Sequence, residues 1–187
     1  MKEKVGFIGL GSMGRRMAAN VCGGFPTSVF DLREDAVAEV AARGAGAADN
    51  VTDIAATCNR ILLSLPDADA VDEVVFGEGG LFPSLEEGDI VVDCGTTHPE
   101  YTRATARRLA GRGAFFLDAP VTGMETRAEA GTLTVMVGGD EGAFAAVLPV
   151  LERIGSLVLH MGESGNGQLA KMTNNVLYNI SCAAMAE

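Results

Sequence analysis

The sequence predicts an α/β protein, with a doubly wound, mostly parallel sheet and helices on both of its faces. Three observations predict it. Short apolar runs alternate with helix-period segments almost from end to end, which is the pattern of right-handed strand–helix–strand crossovers. The runs are continuously apolar, as strands covered on both faces read. The first run also breaks into three glycines, at positions 9, 11 and 14 of GFIGLGSMGRR, just before a helical pattern begins.

In chain order, strands are predicted at residues 5–8, 28–30, 61–65, 90–93, 115–118, 133–137 and 157–159, all short and rich in Val, Ile, Leu and Phe. Helices are predicted at 13–22, 34–42, 51–56, 68–75, 99–109 and 141–154, where apolar residues return every three or four positions. The helix at 99 has a start signal: Thr97 and Glu100 fit a capping box, with Pro99 in the first turn. His98 beside them reads as structural. After the loop GESGNG a last helix runs from Gln168, with Met172, Val176, Leu177 and Ile180 as its apolar stripe. It meets no stop signal before Glu187, so it is expected to continue. The division expected is 1–163 as one domain and 164–187 as the start of a long helix.

With 187 residues, 48% hydrophobic and 21% charged, the chain is long enough for a sizeable core. A net charge of −11 argues against a nucleic-acid partner, which would need a basic face. The cysteines at 22, 58, 94 and 182 form no C-x-x-C pair and no metal spacing with histidine. Reduced, mostly buried thiols and no metal are expected. Met1-Lys2-Glu3-Lys4 leads directly into the first strand, without a signal peptide or a bilayer-length apolar run. A cytoplasmic protein with no membrane contact is expected.

The glycine loop carries the first functional reading. Gly9 permits a sharp turn after the strand, Gly11 permits close approach of backbone to a pyrophosphate, and Gly14 permits tight helix–strand packing. The loop Gly9, Leu10, Gly11, Ser12, Met13 and Gly14 would then offer the phosphates a helix N-terminus. Taken alone, the three glycines fit an ordinary βα turn equally well. Asp31 adds the deciding context: it ends the second strand seventeen positions after Gly14, where a carboxylate accepts from ribose hydroxyls and repels a 2′-phosphate. The expectation is a Rossmann-type domain binding NAD rather than NADP. Arg33 is the counter-signal, since it could swing toward a 2′-phosphate.

Three longer stretches go further: FIGLGSMGRRMAANV, DAPVTGMETRAEAGTLTVMVGG at 118–139 and GNGQLAKMTNN at 165–175. Together they resemble the 3-hydroxyisobutyrate dehydrogenase family of β-hydroxyacid dehydrogenases. The resemblance implies an oxidoreductase acting on a small carboxylate-bearing substrate, a homo-oligomer, and an all-helical second domain after the long helix, absent from this chain. It makes Lys171 the catalytic lysine and Asn175 the active-site asparagine. These lie four apart, on one helical face, with Tyr178 along the same stripe. An ammonium there would stabilise and protonate an alkoxide, and a neutral amine would take the hydroxyl proton in the reverse direction. The resemblance places Thr122, Gly123 and the N–H of Met124 on the substrate carboxylate, and Leu65, Pro66 and Thr96 beside the nicotinamide.

The sequence departs from the family at Met124 and Arg127, where glycines are usual, and at Gly95, where serine is common. Arg127 is either a second carboxylate clamp or a loop arginine. The alternatives to an NAD-dependent dehydrogenase are an NADPH-dependent glyoxylate or succinic semialdehyde reductase on the same scaffold, or a dinucleotide-binding module without turnover. An imine reductase fits less well, because this chain keeps the lysine.

Overall fold

The structure, a computed structural model, describes residues 4–187; the expectation for Met1, Lys2 and Glu3 lies outside them. Six strands form the main sheet: β1 (Lys4–Ile8), β2 (Thr27–Phe30), β3 (Gly46–Ala47), β4 (Cys58–Leu63), β5 (Ile90–Asp93) and β6 (Phe115–Asp118). All pair in parallel, in the order β3-β2-β1-β4-β5-β6. The chain winds outward from β1 to β3, then returns to β4 on the other side of β1. The order therefore reverses at β1, and ligands of open α/β sheets bind at such a switch point.

The helices α1 (Gly14–Cys22), α2 (Glu34–Ala41), α3 (Val51–Thr57), α4 (Ala68–Phe76) and α5 (Pro99–Ala110) connect these strands. Two core clusters result. Val5, Phe7, Met17, Val21, Val29 and Leu62 pack on one face, and Ile8, Ile54, Ile61, Leu63, Val71 and Leu109 on the other. With both faces covered, burial selects an apolar residue at nearly every strand position, which explains why the runs do not alternate.

The chain after β6 departs from the simplest reading. The predicted strands at 133–137 and 157–159 leave the main sheet. They become β8 (Leu133–Val137) and β9 (Gly155–His160), which with β7 (Val121–Thr122) form a second sheet in the order β7-β8-β9. β7 and β8 are antiparallel, and one antiparallel bridge from Asp118 to Gly138 joins the sheets. Pro120 comes two residues after the end of β6 and lacks an N–H for a ladder. β8 is buried at alternate residues and β9 leaves Leu157 and Leu159 exposed, so neither has two covered faces.

β3, β7 and α6 (Met124–Glu129) were not foreseen, being too short to show a period. α7 (Glu141–Leu151) ends three residues before the predicted 154, because β9 starts at Gly155. The long helix is α8 (Asn166–Ala186).

The capping box at α5 is also corrected. His98, not Thr97, is the N-cap, and its Nδ1 accepts from Glu100 N–H at 3.3 Å. Thr97 instead turns its hydroxyl toward Asp93 Oδ2, at 3.4 Å. All four cysteines are free; Cys58 and Cys94 are buried, Cys22 is half-buried and Cys182 is exposed.

Candidate active site

The carboxyl ends of β1, β2, β4, β5 and β6 lie level, as the pairings Ile8–Phe30, Ile8–Leu63, Leu63–Asp93 and Asp93–Asp118 require. The glycine loop sits over the switch point. Gly9 has φ +90°, and a Cβ there would lie 2.9 Å from the Ser64 carbonyl carbon. At Gly14 a Cβ would strike the Gly9 oxygen and come within 3.1 Å of Ser64 Cβ. These two glycines are needed by the fold itself. Gly11 is different: a Cβ there would meet nothing within 4 Å. No side chain caps the N-terminus of α1, where Arg15 N–H donates to Gly11 O at 3.1 Å.

Asp31 closes the loop from the side. Its Oδ2 accepts from Leu10 N–H at 2.6 Å and its Oδ1 from Arg33 N–H at 2.9 Å. Arg33 Nε lies 3.4 Å from Asp31 Oδ1, and the guanidinium also donates to Leu10 O at 3.0 Å. The Leu10 side chain is in the core, so this residue presents only backbone to the cleft. Ser12 is exposed, and its carbonyl accepts from Arg16. Beside the loop opens a largely apolar cleft of about 750 Å³, lined by Gly9, Asp31, Leu65 and Pro66 together with Asn50, Val51 and Thr52. It has the volume that a nucleoside half would need, and of the carboxylates on its lining, Asp31, Glu73 and Glu78, Asp31 is the one bonded to the glycine loop.

A second cleft, of about 360 Å³, shares Leu65 with the first. Met13, Thr96, Thr122, Gly123, Met124 and Lys171, residues from four separate segments of the chain, meet on its wall. Lys171 is the only charged side chain there, and burial pushes its amine below the usual lysine range. The other titratable group on the wall is Cys94, whose buried thiol is pushed up and stays protonated. Asn175 does not line this cleft; it is half-buried one turn further along α8. Tyr178 is exposed. Met124 has φ +61°, a left-handed backbone that side chains adopt at a cost of about 1 kcal/mol. The Arg127 stem packs where a Gly123 Cβ would point, with Cδ at 2.8 Å, and its guanidinium lines neither cleft.

Two residues that sequence reasoning passed over hold this arrangement. Asp118, fully buried at the end of β6, accepts from Gly165 N–H and Gln168 N–H, each at 2.8 Å. Gln168, also fully buried, donates to Gly95 O and accepts from Thr97 N–H, each at 3.0 Å. Burial pushes the Asp118 carboxyl up, while the N–H donors of Gly165 and Gln168 oppose that rise. Asp93, beside it on β5, is pushed up to about 6 by burial, against its hydrogen bond from Gly95 N–H. A signal was available: Gly165 and Gly167 come just before Gln168 and mark a close approach. A Cβ on Gly167 would lie 2.8 Å from Asp118 Oδ2.

Residues 4–162 match the family described as the NAD binding domain of 6-phosphogluconate dehydrogenase. The chain belongs to this family. Within the NAD-binding family it is 42% identical over 185 residues to 2-(hydroxymethyl)glutarate dehydrogenase of Eubacterium barkeri, an alignment that covers 98% of this chain and 62% of that protein. It is 39% identical to 3-hydroxyisobutyrate dehydrogenase of Pseudomonas aeruginosa, over 98% of this chain and 62% of that protein. Among solved structures, the 3-hydroxyisobutyrate dehydrogenase of Mycobacterium tuberculosis with L-serine superposes with a TM-score of 0.92 at 30% identity, over 100% of this chain and 63% of that one. Psf3 in complex with NADP+ and 2-OPP gives 0.88 at 30% identity, over 92% of this chain and 62% of that one. The chain thus spans about three fifths of the length of these relatives. The similarity to 3-hydroxyisobutyrate dehydrogenases agrees with the resemblance read from the sequence. Among the described residues no helix is long and apolar enough to cross a membrane.

Proposed function

We propose that the protein is an oxidoreductase that moves a hydride between NAD and a small β-hydroxy acid or its semialdehyde. One observation carries this reading. Lys171 is the sole charge in a cleft that also holds Thr96, Thr122 and Gly123 and that adjoins the glycine-loop cleft through Leu65. Gly11 and the uncapped start of α1 would hold the pyrophosphate, Asp31 the adenosine ribose, and Leu65, Pro66 and Thr96 the nicotinamide half. When bound, the nicotinamide supplies or accepts the hydride.

The chain's own groups do the rest. The Thr122 hydroxyl and the N–H groups of Gly123 and Met124 grip the substrate carboxylate. In oxidation, the neutral Lys171 amine takes the proton from the substrate hydroxyl oxygen as the C–H electron pair leaves. In reduction, its ammonium form offsets charge on the carbonyl oxygen and returns that proton. The lowered pKa of Lys171 suits a group that must serve in both protonation states. Asn175 orients the substrate or the lysine from the next turn of α8. Residues 1–163 form the dinucleotide-binding domain in this reading, 164–187 begin the interdomain helix, and the working protein is a homo-oligomer.

Arg33 favours one second reading. It stands exposed beside Asp31 and could turn to a 2′-phosphate, as an NADPH-dependent semialdehyde or glyoxylate reductase would require. Nicotinamide absorbance, followed with each cofactor and a panel of hydroxy acids and semialdehydes, tests both readings. A protein that binds dinucleotide but turns over none of the panel is a binding module instead.

A further inference from the structure

α8 is 21 residues long, yet Gly167 and Gln168 are its only buried residues. From Leu169 onward much of its surface is open, with Leu169 at 53% and Val176 at 56% exposure. The place of Lys171 over the sheet therefore depends on the first turn of the helix. Gln168 uses every polar atom of its amide on the loop after β5. Its oxygen accepts from Thr97 N–H and its nitrogen donates to Gly95 O, each at 3.0 Å, so the amide straddles Thr96. Its own N–H is held by Asp118 Oδ2, while Asp118 Oδ1 holds Gly165 N–H, each at 2.8 Å. The bare Gly167 lets that carboxylate reach the helix backbone. A carboxylate at this end also complements the helix dipole.

We infer that Gln168 and Asp118 are positioning residues, which together fix Lys171 against the Gly95–Thr97 loop and so set the spacing between the lysine and the Thr96 side of the cleft. Packing alone does not explain them. An apolar side chain would fill the Gln168 site without burying an amide that needs partners on both ends. The amide is matched at both ends, and the segment it grips carries Thr96 on the opposing wall. Lys171 lies three residues further along α8, about 4.5 Å up the helix axis, so a tilt of the first turn transfers directly to the amine. An error of about 1 Å in such a placement can cost about a hundredfold in rate.

This inference rests on the assignment of Lys171 as the acid–base group, and its test separates the two. In the complete protein, Gln168→Met removes both amide contacts at similar volume. Asp118→Asn, which sets an NH2 against one of the two helix N–H donors, is the second variant. Lys171→Ala is the control. The readouts are NAD affinity by calorimetry, the melting curve, and kcat/KM for oxidation against pH. In both positioning variants we expect a folded protein with NAD Kd within about twofold of wild type and kcat/KM lower by about tenfold or more. The limb that rises with lysine deprotonation should move to higher pH, because a loosened amine gains water. Cys94 and Asp93 are the titratable neighbours on that side and are unaltered. Folded variants with wild-type kcat/KM and an unmoved limb would overturn the positioning role. If Lys171→Ala still loses turnover in that case, the acid–base reading stands. If Lys171→Ala turns over normally, both fall.

Discussion

Gly11→Ala separates fold from function at a single atom. A Cβ at Gly11 meets nothing within 4 Å, and the residue is not in the left-handed region. The substitution should therefore leave the fold intact and narrow the unfolded ensemble, a gain of about 0.4–1 kcal/mol. For a chain of this size that is about 1–4 °C in Tm. The same methyl projects into the space where a pyrophosphate would rest. Displacing one hydrogen bond to a charged group costs about 1.5–3 kcal/mol, which weakens NAD binding by about ten- to a hundredfold. Gly14→Ala is the contrast, since its methyl meets the Gly9 carbonyl oxygen and Ser64 Cβ, the latter at 3.1 Å. Overpacking of that kind costs about 1–3 kcal/mol, and a backbone oxygen yields little. Thermal melts and calorimetric titration with NAD read both quantities on both variants. A Gly11→Ala protein with wild-type NAD affinity would show that no phosphate approaches the loop, and the dinucleotide reading of the glycines would fail.

Lys171→Ala in the complete protein should lower kcat by about a hundredfold or more and leave NAD affinity nearly unchanged, as steady-state kinetics and calorimetry will show. Wild type should have the higher kcat/KM with NAD, and Asp31→Ser should shift the ratio toward NADP; a wild type that prefers NADP would mean that Arg33 governs the site. Asp93 gives a pH prediction. Burial raises its folded carboxyl to about 6, above the unfolded value of about 4, so its contribution to stability is full below about pH 4 and is lost as pH rises through 6. Asp93→Asn should then be the more stable protein at pH 7.5, by on the order of 2–3 kcal/mol, with little difference near pH 4. Urea titrations that give the same difference at both pH values would refute this assignment.

The main sheet was readable because its cause is local and repeated. Strands buried on both faces must be apolar throughout, and the crossover helices must carry a stripe, so both periods appear along the chain. The pieces that escaped were short or set by distant partners. β3 and β7 have two residues each. α6 has six and starts from Gly123 at φ +139°, a turn that its own periodicity does not announce. Thr97 looked like a cap by spacing, but the buried Asp93 drew its hydroxyl away and left the capping to His98.

By itself the sequence determined the α/β class, the glycine loop, the acidic end of β2, and Lys171 on a helix after a glycine-rich turn. These depend on residue type and spacing within one segment. Only the tertiary structure decided that 133–137 and 157–159 form a sheet of their own, and that Lys171, Thr122 and Thr96 line one cleft while Asn175 stays a turn away. It alone brought Gln168 to Gly95 and Asp118 to Gly165, contacts across 73 and 47 positions. A buried polar group is free to choose any partner the fold delivers, and nothing in its own neighbourhood along the chain records which one that will be.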